Sequence, residues 1–386
     1  MSKVRNNKGM DATGRAVLQR FYDGTMRPGE TVECLSSYHR MHPTRTIAKG
    51  PIEKSLHVHG GALPNITFAQ DGRTFDLYDY LATNRVAGLL IMKRGWVVAE
   101  LYELGLQANT LWASCSMAKS IASTLVGIAV REGAIDLAAP ISRYVAPLRG
   151  GTYDEVSVRQ VLQMVSGVSW NETYTDPTSE RRRLLEVQLT LQSDAILAHM
   201  SGLSRAAAPG SAWIYNTGES YLVGPLLQAA TGEDPTRYLS RKIWSRLGME
   251  QDATWWTVGA DGMVLAGSGM SATLRDYARF GQFVLDDGVI DGEALVPTGW
   301  FAEAGVPQVI AGQRVPYGYM WWIPELADPM LEGSFQAEGI YGQYLHVNPR
   351  EELLIVVLSA RPKPSFRTRV EFNDDAFFAG VARALR

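Results

Sequence analysis

The stretch SCSMAKSIAS, residues 114–123, sets a hydroxyl and an amine three positions apart, on Ser116 and Lys119. On a helix, residues i and i+3 share a face, so these two groups can meet. The first N–H groups of a helix lack backbone partners and can stabilise an oxyanion. A lysine among apolar residues loses its proton more readily, because burial disfavours the ammonium. The neutral amine can then accept the serine proton and turn a weak nucleophile into a strong one. Eight lysines and 25 serines in 386 residues give roughly half a chance S-x-x-K match, the usual weakness of short motifs. Spacing alone therefore favours an ordinary helix start. Context weighs the other way, since the match follows a hairpin pattern and heads an apolar helix, where a surface lysine is out of place.

Two further stretches carry candidate chemistry. In WIYNTGESYLVG, residues 213–224, Tyr215 precedes a turn-like Asn-Thr-Gly and a new helix. A phenol near a lysine can pass a proton to a leaving group, although for any of 16 tyrosines plain packing is the safer assignment. In AEGIYGQYLHVNP, residues 337–349, two glycines bracket Ile340 and Tyr341 beside a strand. Glycine permits close backbone approach to a ligand, and a strand N–H there could complete an oxyanion hole. A β-bulge is the simpler explanation.

The elements that must position these groups can be read coarsely. Residues 1–80 are rich in Gly, Pro, His and polar groups and predict an irregular wrap with one short helix. GLLIMKRGWVVAELY, 88–102, predicts a hairpin turning at Lys93-Arg94-Gly95. SMAKSIASTLVGIAVREG predicts a buried helix closed by Gly133. Ser157 and Gln160 form a capping-box pattern. Helices are also expected over 193–200, 219–230, 235–247 and 273–286, the third with Asp234-Pro235 at its start. YGYMWWI, QYLHVNP and ELLIVVLSA predict strands, and FNDDAFFAGVARAL a terminal helix. The expected class is α+β: an antiparallel sheet built from both chain ends, flanked by N- and C-terminal helices, with a mostly helical domain inserted. The division is 1–110 for the wrap and first strands, 111–261 for the helical part, and 262–386 for the remaining strands and last helix.

Composition is that of a globular protein, with 46% hydrophobic and 20% charged residues. The net charge of −3 argues against a nucleic-acid or membrane partner. The opening MSKVRNNKGMDATGR lacks a secretory pattern, and two cysteines make no disulfide framework. A cytoplasmic setting is expected. The partner is a small molecule, and the oligomeric state stays open, a homodimer included.

Taken in order, the three motifs resemble those of the penicillin-recognising serine hydrolases: class C β-lactamases, DD-peptidases and the related family VIII esterases. Within these, MVSGVSWNETYTDPTSE and GSGMSATLRDYARFGQ are similar to the nylon-oligomer subgroup, the 6-aminohexanoate-dimer hydrolases. The likeness runs from about residue 85 to 360. It implies a β-lactamase-like fold with Ser116 as nucleophile, Lys119 as its base and Tyr215 as proton relay. It places the oxyanion hole at the N–H groups of Ser116 and Ile340. It also implies that Tyr174 contacts the substrate amide, with Trp170, Thr217, Gly339 and Tyr341 completing the binding residues. No cofactor or metal is implied. Two positions depart from the pattern: Thr217 stands where most relatives carry Asn, and Ala337-Glu338-Gly339 stands for Lys-Thr-Gly. The second departure removes the cation that β-lactam carboxylates meet.

The implied function is cleavage of small esters or linear amides. Alternatives are a D-amino-acid peptidase or β-lactamase-type hydrolase, or a non-catalytic binding scaffold on the same fold. Other features point to nothing specific. His57 and His59 lack a third ligand at suitable spacing, and Cys115 reads as a packed thiol. Gly267-Ser268-Gly269 lacks a dinucleotide-binding context. Arg181-Arg182-Arg183 reads as a solvated face, with attraction of a substrate carboxylate as the alternative. Trp170, Trp213, Trp321 and Trp322 could line a cleft or fill a core.

Overall fold

The computed structural model describes residues 10, 12–259, 261–364 and 370–386. Most of the opening segment read above for a secretory pattern, residues 1–9 and 11, therefore lies outside the described residues. The helices that matter most are α1 (Ala12–Asp23), α2 (Met117–Arg131), α3 (Glu180–Leu189), α4 (Thr217–Thr231), α5 (Leu274–Leu285) and α6 (Asp374–Ala384). The main sheet uses β1 (His57–Val58), β2 (Val86–Lys93), β3 (Trp96–Tyr102), β4 (Phe335–Gly339), β5 (Gln343–Asn348) and β6 (Leu353–Ser359). Their spatial order is β4-β5-β6-β2-β3-β1. Every pairing is antiparallel except β1 with β3.

The two ends of the chain meet in the middle of this sheet, where Leu353 pairs with Lys93 and Val357 with Leu89. The apolar run of β6 follows from its place between two cores. Leu353, Ile355 and Val357 face one core with Phe377 and Phe378 of α6. Leu354, Val356 and Leu358 face the larger core that holds α2, α4 and α5. Alternate side chains of a strand leave opposite faces, so a strand covered on both sides needs apolar residues at every position.

A second sheet of four short antiparallel strands, ordered Thr44–Ile47, Ala253–Trp256, Met270–Ala272 and Trp112–Ala113, lies at the head of α2. α2 itself is buried from Met117 to Ala129 and packs against α4. The capping box at Ser157 and Gln160 is present. Among the described residues, no helix is long and apolar enough to cross a membrane.

Three expectations need correction. Residues 1–80 are not an irregular wrap with one short helix, since α1, Pro28–Ser37 and Leu77–Thr83 are all helical. Leu18, Phe21 and Tyr22 of α1 are buried, and their i, i+3, i+4 spacing is the amphipathic signal that the surrounding polar composition masks. YGYMWWI is not a strand: it makes only isolated bridges, Tyr317 to Trp322 and Trp322 to Gln336. Finally, α3 occupies the region read as a solvated arginine face. Ser179 caps it by accepting from the Arg182 N–H, and Arg181 and Arg182 are buried.

Candidate active site

α2 begins immediately after the strand Trp112–Ala113, which is pinned by the second sheet. The Ser114 N–H donates to the Met270 carbonyl, and Cys115 then turns the chain with φ +47°. A left-handed conformation is costly for a non-glycine residue, and here it delivers Ser116 to the helix head. One turn on, the Lys119 amine donates to the Ser116 hydroxyl at 2.9 Å and to the Gly267 carbonyl at 2.9 Å. Lys119 is 1% exposed. Burial lowers its pKa to about 7, Glu172 opposes that shift, and Arg181 adds to it. The expected hydroxyl–amine pair is therefore formed, with the amine ready to be neutral.

Tyr215 lies just before α4. Asn216 caps that helix by accepting from the Glu219 N–H, which fixes the tyrosine's exit direction. The Lys119 amine stands 5.1 Å from the centre of the Tyr215 ring. Burial and the Glu172 carboxylate push the phenol well above the usual tyrosine range, while a hydrogen bond with Ser116 opposes them. Serine, lysine and phenol thus converge.

The third motif closes the site. Gly339 ends β4 against the segment that leads into Ser116. A Cβ on it would come 2.4 Å from the Ser114 carbonyl oxygen, so only glycine fits. The next residue, Ile340, lines the same pocket as Ser116. Neither the Ser116 nor the Ile340 N–H donates to any described residue, as an oxyanion hole requires. Tyr341 has φ +66°, and its hydroxyl donates to the Phe21 carbonyl of α1. That anchor holds the tight turn that presents Ile340. Tyr341 was expected among substrate-binding residues, yet it does not line the pocket. Its side chain is committed to α1, next in the chain to Ile340.

The pocket beside Ser116 is narrow, open on one side, and lined by Tyr22, Tyr38, Cys115, Ser116, Tyr174, Arg181, Thr217, Ser268 and Ile340. Tyr174 and Thr217, two of the residues expected to bind substrate, both line this pocket. The Tyr174 ring stacks on Tyr22 at 5.8 Å. Trp170 stands behind the pocket rather than in its wall and donates its indole N–H to Glu172 at 2.5 Å. Trp321 fills the core, whereas Trp213 and Trp322 cluster with Tyr215 and Tyr317. The Cys115 thiol is buried, which pushes it far above the usual range. Ala337 stands at the position of the missing lysine, and beside it burial raises the Glu338 carboxyl to about 8, so neither residue supplies a cation.

Sequence reasoning missed several contributors. Glu172 accepts from the Thr217 N–H at 3.0 Å, the Thr217 hydroxyl and Trp170, tying the loop before α3 to the head of α4. Tyr22 and Tyr38 come from the N-terminal helices, where the resemblance is poor. Ser268 lies in a stretch set aside for lack of a nucleotide context, and the neighbouring Gly267 carbonyl orients the lysine.

Comparison with known proteins bears on this arrangement. A family model described as Beta-lactamase matches residues 79–377. Over 317 residues the chain is 31% identical to a 6-aminohexanoate-dimer hydrolase of Paenarthrobacter ureafaciens, covering 76% of this chain and 77% of that protein. A solved structure from Bacillus anthracis, assigned as a 6-aminohexanoate-dimer hydrolase, matches with TM-score 0.76 at 24% identity, across 86% of this chain and 89% of that one. A family VIII carboxylesterase matches with TM-score 0.60 at 17% identity, across 80% of this chain and 96% of that one. The two structural likenesses are likenesses of fold.

Proposed function

Because this chain belongs to the beta-lactamase family of serine hydrolases, we propose that it cleaves small carboxylic esters or linear amides through an acyl-enzyme on Ser116. The observation that carries this reading is the 2.9 Å contact between the Ser116 hydroxyl and the buried Lys119 amine. Lys119 accepts the serine proton as Ser116 attacks the carbonyl. The Ser116 and Ile340 N–H groups hold the oxyanion, and losing one such donor typically costs about 3 kcal/mol of barrier. Tyr215 passes the proton to the departing alcohol or amine, and water then cleaves the acyl-enzyme by the reverse route.

Amides demand more than esters, because the leaving nitrogen must be protonated as it departs. The 31% identical relative carries the name of a linear-amide hydrolase. Ala337, where the Lys-Thr-Gly element has its lysine, stands against a β-lactam, whose carboxylate would meet no cation there. The test has two parts. A fluorophosphonate probe should label wild type and leave Ser116→Ala unlabelled. A screen of p-nitrophenyl acetate, 6-aminohexanoate dimer and a chromogenic cephalosporin should show turnover of the first two, all of it lost in Ser116→Ala. Turnover of p-nitrophenyl acetate that survives Ser116→Ala contradicts the reading.

A further inference from the structure

Arg181 is 1% exposed and lines the pocket that holds Ser116. Its Nη2 donates to the Tyr22 hydroxyl, and its charge lies 4.4 Å from the centre of the Tyr22 ring. Its Nε and Nη1 are buried and have no hydrogen-bond partner among the described residues. Glu172, the nearest carboxylate, stands 3.9 Å from Nε, beyond hydrogen-bond reach. That carboxylate is already occupied by the Thr217 N–H, the Thr217 hydroxyl and the Trp170 indole. A guanidinium cannot escape burial by losing its proton, and buried N–H groups without acceptors are costly. An arginine held in this state beside a nucleophile is prepared for an acceptor that arrives with the substrate.

Resting on the hydrolase reading above, we propose that Arg181 receives a free carboxylate on the acyl part of the substrate, so that half-esters or half-amides of short dicarboxylic acids are preferred over substrates whose acyl part ends in an ammonium, the 6-aminohexanoate dimer included. The acyl side follows from the placement of Tyr215. The leaving group must depart toward that phenol, and Tyr215 packs on Trp322 and Tyr317 rather than lining this pocket. The chamber lined by Ser116, Ile340 and Arg181 therefore takes the other half of the substrate. Tyr22, Tyr38 and Tyr174 wall it, which limits water around the ion pair and strengthens it. The acyl-enzyme forms as usual: the Ser116 oxygen bonds to the carbonyl carbon, the bond to the alcohol or amine breaks, and the second carboxylate stays on Arg181 unchanged.

Wild type should hydrolyse mono-p-nitrophenyl glutarate with kcat/KM at least tenfold above p-nitrophenyl valerate, mostly through KM. Arg181→Gln should bring that ratio near one, and Arg181→Lys should restore part of it. The ratio is taken within one preparation, so partial unfolding of a variant does not distort it. Should neither variant fold, wild type alone decides: glutarate should compete with p-nitrophenyl acetate where glutaramide does not. Equal kcat/KM for the two esters in wild type, or a ratio unchanged in Arg181→Gln, overturns the proposal. Failure of the hydrolase reading looks different, as absence of any Ser116-dependent turnover. Calorimetry of wild type with glutarate then decides the carboxylate site alone: binding upholds it and absence of binding overturns it.

Discussion

Burial takes Lys119 from the usual lysine range down to about 7, and the proton it has shed above that pH leaves room for the one Ser116 must give up. kcat/KM for p-nitrophenyl acetate should therefore rise with pH through about 7 and level off above it. A flat profile between pH 5 and 8 would remove Lys119 as the base. Stability should carry the same signature. The unfolded lysine keeps its proton up to about pH 10.4, whereas the folded one releases it near 7. Between those values the unfolded state binds more protons, so stability rises with pH across that window. Lys119→Met should abolish turnover and, at pH 6, raise unfolding free energy by on the order of 1 kcal/mol, because it removes a buried ammonium. Denaturant titration of both proteins checks this.

At the scale of elements, the oxyanion hole depends on β4 lying close to the segment that enters α2. Gly339→Ala places a methyl 2.4 Å from the Ser114 carbonyl oxygen, so strand and helix head must part. kcat should fall roughly a hundredfold or more, with the circular dichroism spectrum retained; near-normal turnover would sink the oxyanion assignment. These elements differed in how openly the sequence declared them. β2, β3 and β6 stood out because their apolar runs are bounded by turn residues, and α2 because its burial makes nearly every position small or apolar. Ser116, Lys119, Tyr215 and Gly339 were legible because each sits where an element starts or stops. YGYMWWI misled because aromatic, strand-like residues there pack on one another without a ladder. Arg181 and Arg182 misled for a different reason: three successive arginines look solvated, and only the tertiary structure shows that Tyr22 and Asp23 of α1 receive two of them.

Across the whole molecule, one buried cluster ties the chain ends together. Asp374, at the head of α6, accepts from the Tyr80 hydroxyl at 2.6 Å, from Asn84 at 3.3 Å and from Arg361. Asp374→Ala leaves the Arg361 charge buried without this partner and should cost about 3 kcal/mol of stability. The cluster is not part of the Ser116 pocket, so kcat/KM at 20 °C should hold while the urea midpoint drops. The central pairing has another consequence. β2 pairs with β3 at once, but its other edge finds a partner only when Leu353–Ser359 has left the ribosome, and at ~10 residues per second that wait is on the order of half a minute. Throughout translation of the intervening helices, a strand buried along nearly its whole length in the finished protein is sticky and exposed. Yield in a foreign host should accordingly depend on chaperone supply and on slowing synthesis by cooling, even for variants whose finished form is fully stable.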